Sequence, residues 1–477
     1  GMTLTQAMVT TTCDWRVSDL VWTYSIFFVV LGAAAAIWGG WLERAGPRKA
    51  GVVAACCWCG GIAIGALGVA WHQLWLIWLG TGFLGGIGLG LGYISPVSTL
   101  IKWFPDRRGM ATGMAIMGFG GGAMIGSPLA DLLMKLFATH TQVGWQTFVV
   151  MAGIYFVFMM AGALGYRVPP EGWTPSGWTA PAITHGAVSR FHVHLNDAHK
   201  TPQFWLIWLI LLLNVSASIG IIGIASPMLQ EIFAGRLIDQ PGVLFTAFDD
   251  TQKAAAAAVG AGFVGIISLF NIAGRFAWAT SSDKLGRKPT FAIMTAFGAL
   301  LYGLAAPALV GGSIGLFILT FCLCASMYGG GFATVPAYLA DTFGTKFVGA
   351  IHGRLLTAWS TAGVLGPSIV SIMRDARIEA GIPRDQIYQP IYWTLAGLLI
   401  LAFILNLLVR PVHSRFHMAQ DESALEIKAD AIAGPAEDVP TSSGGFSLFA
   451  MFAWAAVCLP IAWGIYQTLA KAAVLLK

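Results

Sequence analysis

The 477-residue chain is 57% hydrophobic and only 10% charged, where a soluble domain carries about 25% charged residues, so most of it is built for lipid. Its net charge of +5 does not point to nucleic acid, because the basic residues fall in short loops between apolar runs and line no single polar face. The seven cysteines lie mostly inside apolar runs, and Cys56, Cys57 and Cys59 have no histidine or carboxylate near them in sequence, which reads as small apolar packing rather than a metal site.

The N-terminus is polar to about residue 18 and shows no cleavable signal sequence. Twelve apolar runs follow, at 18–41, 50–71, 74–100, 109–136, 146–166, 203–233, 253–280, 290–310, 313–340, 346–373, 389–411 and 446–468. Each is near the ~20 residues that a helix needs to cross an ~30 Å hydrocarbon core. If the loop at 42–49 is cytoplasmic, the loops on that side hold sixteen basic residues against nine on the other, the bias that marks the cytoplasmic face.

The stretch Gly40-Trp41-Leu42-Glu43-Arg44-Ala45-Gly46-Pro47-Arg48-Lys49 follows the first run, and Ser282-Asp283-Lys284-Leu285-Gly286-Arg287-Lys288 follows the seventh. Glu43 to Asp283, Gly46 to Gly286, Gly109 to Gly349 and Gly113 to Gly353 are each 240 residues apart, while Phe104 to Phe343 and Pro128 to Pro367 are 239. One period over these landmarks means two homologous halves. The run at 203–233 has no counterpart 240 residues earlier, so a first helix is expected to be missing, through truncation or a misassigned start. The expected units are an N-terminal bundle at 1–166, a cytoplasmic linker at 167–202, a C-terminal bundle at 203–411, a polar linker at 412–445 and an appended transmembrane helix at 446–477. That last helix is expected at an edge, with the vacant first place as the alternative.

The duplicated Gly-x-x-x-Asp/Glu-Arg/Lys-x-Gly-x-Arg/Lys pattern resembles the signature loop of the major facilitator superfamily. The resemblance implies an all-α membrane protein of two six-helix bundles, with Glu43, Arg44, Arg48, Asp283, Lys284 and Arg287 in gating roles, since an acid among bases can engage helix ends of the opposite half. A narrower resemblance is carried by Trp103-Phe104-Pro105-Asp106-Arg107-Arg108-Gly109-Met110-Ala111-Thr112-Gly113 and by Asn271-Ile272-Ala273-Gly274-Arg275. Both resemble elements of the oxalate/formate antiporter family and the related monocarboxylate transporters, over residues from about 14 to 412. The second element implies that Asn271 and Arg275 hold a substrate carboxylate.

Arg275 can also be argued alone. It lies in a run otherwise free of charge between Lys253 and Asp283, and a guanidinium does not deprotonate in proteins and costs at least about 2.5 kcal/mol within a bilayer. No acid is found inside the runs, Asp19, Asp131 and Asp341 falling near their ends, so a carboxylate from outside is the natural partner. Snorkelling to the surface or a backbone carbonyl contact is the plain alternative. The resemblance further implies that Asn271, standing where proton-coupled relatives have Asp, cannot load a proton, which favours anion exchange. It also implies that Thr357-Ala358-Trp359, standing where oxalate carriers have Thr-Ala-Lys, leaves one cation and therefore favours a monocarboxylate. Arg354 is expected to pair with a gating acid such as Glu43. Tyr93, Tyr328 and Asn214, with Ser95, Ser216 and Ser218, are candidates to line the cavity or to act as helix-to-helix glue. The glycine runs at 85–90 and 118–122 read as close packing. His352 is a candidate proton relay, and His192, His194 and His199 read as a solvated loop.

The function expected is secondary transport of small carboxylate anions by alternating access, as exchange, with proton-coupled symport or a non-transporting sensor as alternatives. No run shows an acid dyad, a Ser/His arrangement or metal-ligand spacing, so no enzyme, metal or cofactor is expected. The expected partners are carboxylate anions, lipid and, under symport, protons, for a monomer in a bacterial cytoplasmic (inner) membrane.

Overall fold

The computed structural model describes residues 15, 17–137, 144–170, 173, 175, 191–304, 313–383, 386–418 and 448–472. The expected linker residues 176–190 and 419–447 lie outside them, as do residues 1–14, on which the expectation of an absent first helix bears.

The chain is helical almost throughout. In the first half, α1 (Val17–Ala45), α2 (Pro47–Ala70), α3 (Leu74–Trp103), α4 (Arg108–Phe137) and α5 (Trp145–Gly165) follow one another. In the second come α6 (Pro202–Ile222), α7 (Ala225–Phe233), α8 (Asp250–Leu285), α9 (Arg287–Leu304), α10 (Ile314–Phe343), α11 (Val348–Leu355), α12 (Thr357–Glu379) and α13 (Gln389–Leu408). A final helix, α14, spans Leu448–Ala472. A helix stands at each of the twelve predicted runs, and ten of the described stretches are long and apolar enough to cross a membrane. Among the described residues, β-structure is confined to one bridge between Val193 and His417.

Two runs expected as single helices are broken. The run at 203–233 divides into α6 and α7 around Gly223, and the run at 346–373 divides into α11 and α12 at Leu356. The run at 290–310 is seen as α9 to Leu304, with 305–312 outside the described residues.

Local chemistry explains the boundaries. The two signature-loop glycines, Gly46 and Gly286, both adopt positive φ, 84° and 86°, a region L side chains avoid, so each turns the chain from one spanning helix straight into the next. Proline at the first turn starts α2 and α6, where its missing N–H is no loss. Asp249 and Gln252 form a reciprocal capping box at the start of α8, with bonds of 2.7 and 2.9 Å.

The halves meet along two seams. On one, α4 packs against α8; on the other, α1 packs against α11 and α12. Helix α14 lies on the first seam, touching both α4 and α8. A Cβ at Gly464 would lie 2.9 Å from the Met124 carbonyl of α4, and one at Gly265 of α8 would lie 2.7 Å from Thr468. The appended helix therefore bridges the two halves rather than sitting at an edge of one.

Candidate functional site

Asn271 and Arg275 are four apart on α8 and share one face of it. The Arg275 Nε donates to Asn271 Oδ1 at 3.1 Å, and Asn271 Nδ2 donates in turn to the Ala325 carbonyl of α10 at 3.1 Å. One terminal guanidinium nitrogen crosses the seam and donates to the Ile116 carbonyl of α4 at 3.2 Å. Arg275 is 3% exposed, so it neither reaches a membrane surface nor turns to lipid. The carbonyl contact raised as the plain alternative is present; it satisfies a donor without cancelling the charge. Among the described residues no carboxylate pairs with this cation.

Glycines make the room. A Cβ at Gly120 would stand 2.9 Å from Arg275 Nε, and one at Gly329 would stand 3.1 Å from its Cγ. Part of the run at 118–122 thus fits α4 to the guanidinium, beyond general packing. By contrast Gly86, Gly88 and Gly90 lie against Phe27, Trp58 and Leu31, helix on helix.

Around the guanidinium the two halves contribute a wall of rings. Phe119 and Phe332 each lie with their centroid 5.5 Å from the guanidinium carbon, within cation–π range. Trp359 packs on Phe332 at 4.9 Å and on Phe119 at 5.6 Å, and Phe28 closes on Trp359 at 5.6 Å. Tyr93 meets Phe332 at 5.6 Å, Phe119 at 5.7 Å, Trp359 at 5.9 Å and the His352 ring at 5.7 Å. Within this wall the Tyr93 hydroxyl, the Trp359 indole nitrogen and His352 Nδ1 are buried without a hydrogen-bond partner among the described residues. Buried polar atoms are rarely left unpaired, because each forfeits its hydration, so the three gathered here make this the candidate site.

The structure thus brings together Arg275, Asn271, Tyr93 and Trp359. Tyr328 is buried beside Gly329, whose backbone lies on Asn271 and Arg275. Asn214 is not brought there: it faces Gly331 of α10, and its backbone carbonyl accepts from Ser218. Its side-chain amide nitrogen is buried with no hydrogen-bond partner among the described residues. Sequence reasoning missed Phe28, Phe119 and Phe332, since aromatic residues in apolar runs give no signal beyond hydrophobicity.

At one face of the bundle, the duplicated loops hold the halves together. The carboxylate of Asp283 accepts from the backbone N–H groups of Gly109 and Met110, both at 2.8 Å, and so caps the start of α4 in the other half. Arg287 reaches Asp283 at 2.6 Å and Asp341 at 3.1 Å, and Arg108 reaches Asp341 at 3.1 Å. The 240-related Glu43 accepts from the Gly349 N–H of α11 at 3.0 Å and from Lys102 at 2.9 Å. Arg44 bonds within its own helix, to the Gly40 carbonyl at 3.4 Å, Lys284 is exposed, and Arg48 is half-buried at the start of α2.

Three expectations are corrected by these contacts. Arg354 does not pair with Glu43; it donates to the Leu195 carbonyl at 2.6 Å, to Asn196 at 3.2 Å and contacts His199 Nδ1 at 3.0 Å. The end of the central linker docks under α11, and Glu43 is already taken by Gly349 and Lys102. His194 and His199 are accordingly structural contacts rather than members of a solvated loop, His194 Nδ1 accepting from the Asn196 N–H at 3.1 Å. The census of acids also missed Glu231. It is buried at the end of α7, inside the run at 203–233, where it bonds Arg374 of α12 and the Tyr388 hydroxyl.

Similarity to known proteins agrees with this architecture. The chain is 24% identical to the oxalate:formate antiporter of Oxalobacter formigenes over 72% of this chain and 72% of that one. It is 24% identical to apicoplast pyruvate carrier 1 of Toxoplasma gondii over 71% of this chain and 66% of the carrier. The crystal structure of the Escherichia coli fucose:proton symporter superposes with a TM-score of 0.57 at 13% identity, covering 84% of this chain and 91% of the symporter, which speaks to fold alone. The family model described as Major Facilitator Superfamily matches residues 1–367, and with its duplicated loops, two seams and membrane-spanning helices the chain belongs to that superfamily of integral membrane transporters.

Proposed function

We propose that this transporter carries small carboxylate anions, monocarboxylates foremost, by alternating access, and that it works as an exchanger. The observation that carries the reading is Arg275: a fixed cation, 3% exposed, with no carboxylate partner among the described residues. An anion bound there restores neutrality and can take the guanidinium bidentately, which a carbonyl cannot. The names of two relatives, an oxalate:formate antiporter and a pyruvate carrier, support the same class of cargo.

Exchange follows from the same charge. Asn271 orients the guanidinium but holds no proton at physiological pH, so an empty carrier must occlude an uncompensated cation, and returning loaded is the easier path. Asp283, Arg287 and Glu43 act as gates on the face where they bridge the halves, with Arg44, Arg48 and Lys284 at its rim. The seat of action is a bacterial cytoplasmic membrane.

Proteoliposomes loaded with formate or pyruvate and supplied with radiolabelled anion outside provide the test. Counterflow is expected for the wild type and is lost in Arg275→Ala, with Arg275→Lys retaining the charge but not the fork. Normal counterflow in Arg275→Ala would remove the assignment.

A further inference from the structure

Beyond the fixed cation, the ring wall encloses one group able to acquire charge. His352 of α11 is 1% exposed, its Nδ1 has no partner among the described residues, and its ring lies against Tyr93, which itself packs on Phe119, Phe332 and Trp359 around Arg275. Among the described residues no hydrogen bond to a carboxylate fixes its protonation state.

We propose that His352 is a proton-loading group of the anion site at Arg275, taking up one proton when a dianion binds and none when a monoanion does. The inference rests on the carboxylate reading of Arg275 and extends it to cargo charge. A monoanion cancels the single positive charge of Arg275 and leaves His352 neutral. A dianion leaves one negative charge enclosed, and an enclosed unpaired charge is expensive enough to draw a proton onto the nearest basic group. Dianions are then carried with a proton and monocarboxylates without one.

The groups facing His352 leave that role open to it. From α1 comes Glu43, bound to the Gly349 amide about one helical turn away and held by Lys102 of α3. From α3 comes also Tyr93, against the ring. Helix α10 brings Tyr328 near the site and Asp341 at its end, the latter held by Arg108 and Arg287. Helix α12 brings Trp359, and Arg354 of α11 itself is engaged by Leu195, Asn196 and His199 of the linker. The nearby acids already have bases, so the counter-charge for a protonated His352 has to come with the ligand.

Calorimetric titration of the purified protein with oxalate and with formate, in two buffers of different ionisation enthalpy, counts protons taken up per anion. At a pH where free oxalate is fully ionised, wild type is expected to bind about one proton with oxalate and none with formate. In His352→Gln the oxalate-linked proton disappears and the ratio of oxalate to formate affinity falls at least about tenfold. His352→Asn serves the same purpose if the glutamine variant does not fold. Oxalate binding to wild type without proton uptake, or a proton still taken up by a folded His352 variant, overturns the proposal while leaving the carboxylate site standing. Wild-type protein that binds neither anion overturns the carboxylate reading and this inference with it.

Discussion

Lys102 and Asp341 stand 239 residues apart at equivalent positions of the two halves and carry opposite charge. Lys102 therefore pairs with Glu43, the acid of its own half, whereas Asp341 collects Arg287 and Arg108. Pro47 stands where the other half has Arg287, so the first loop makes a pair and the second a four-membered network that includes the acid capping α4. The two halves of the closed face are related by descent but unequal in strength.

That inequality predicts an order of effects. Asp283→Asn loses the anionic cap on two backbone N–H groups and the partner of Arg287, and charge-assisted bonds of this kind are worth about 1.5–3 kcal/mol each. The population open on that face should rise at least about tenfold, read as faster alkylation of a cysteine placed at Thr112 in a cysteine-free background. Glu43→Gln, which touches one N–H, should produce a smaller rise. Equal labelling in the two variants would refute the ranking.

Gly120→Ala should damage transport without unfolding the protein. Its Cβ would lie 2.9 Å from Arg275 Nε, displacing the guanidinium by a few tenths of an ångström. The expected outcome is KM raised about tenfold, with Gly121→Ala, whose Cβ meets nothing within 4 Å among the described residues, close to wild type. Transport assays on the two alanine variants decide it.

Asn271→Asp should convert the coupling. A carboxylate four residues before Arg275 occupies the guanidinium at neutral pH and releases it when protonated. Uptake by the variant is expected to require an inward proton gradient that the wild type does not need for monocarboxylates. Identical pH dependence of the two proteins in formate uptake would argue against the exchange reading.

Glu231 and Arg374 should matter for stability more than for cargo. Both join α7 to α12 away from the Arg275 wall, with Tyr388 on the second carboxylate oxygen. Breaking a buried pair from one side costs about 3–5 kcal/mol, so Glu231→Gln should lower the unfolding temperature in detergent markedly, and Glu231→Gln with Arg374→Gln should recover part of the loss. A double variant worse than the sum would show the pair is not the unit.

The linker end should make stability pH-dependent. His192 is held below the ordinary histidine value of 6.5, first by burial and then by Lys346 and Arg108. Because the folded value is the lower one, the unfolded chain binds more protons, and stability is lost as pH falls from about 6.5 through that lower value. His192→Gln should flatten the fall in unfolding temperature across this acid window. An unchanged slope would assign it to other groups.

Much of this was written in the sequence because membranes impose long, plain signals. Span positions, the duplicated loops and the cation at Arg275 follow from hydropathy, spacing and the cost of burying charge. What stayed hidden depends on which faces meet. Arg354 could be assigned to a gating acid only because nothing in the sequence shows the linker folding back beneath α11. Glu231 itself was legible, two residues inside the end of the run at 203–233; what the sequence hides is the break at Gly223 that brings α7 to Arg374 and Tyr388. The rings around Arg275 were invisible for the opposite reason, being indistinguishable from the many aromatic residues that merely face lipid.

The placement of α14 has a mechanical consequence. A carrier that tilts one bundle against the other shears whatever is fastened to both, and α14 touches Met124 in one and Gly265 in the other. Under the alternating access proposed above, at least one of those contacts slips in every cycle. The slip is cheapest where a helix meets bare backbone, and both contacts involve a glycine: Gly464 on one side, Gly265 on the other. The helix is thus seated between the two bundles with a glycine at its closest approach to each, Gly464 toward Met124 and Gly265 toward Thr468.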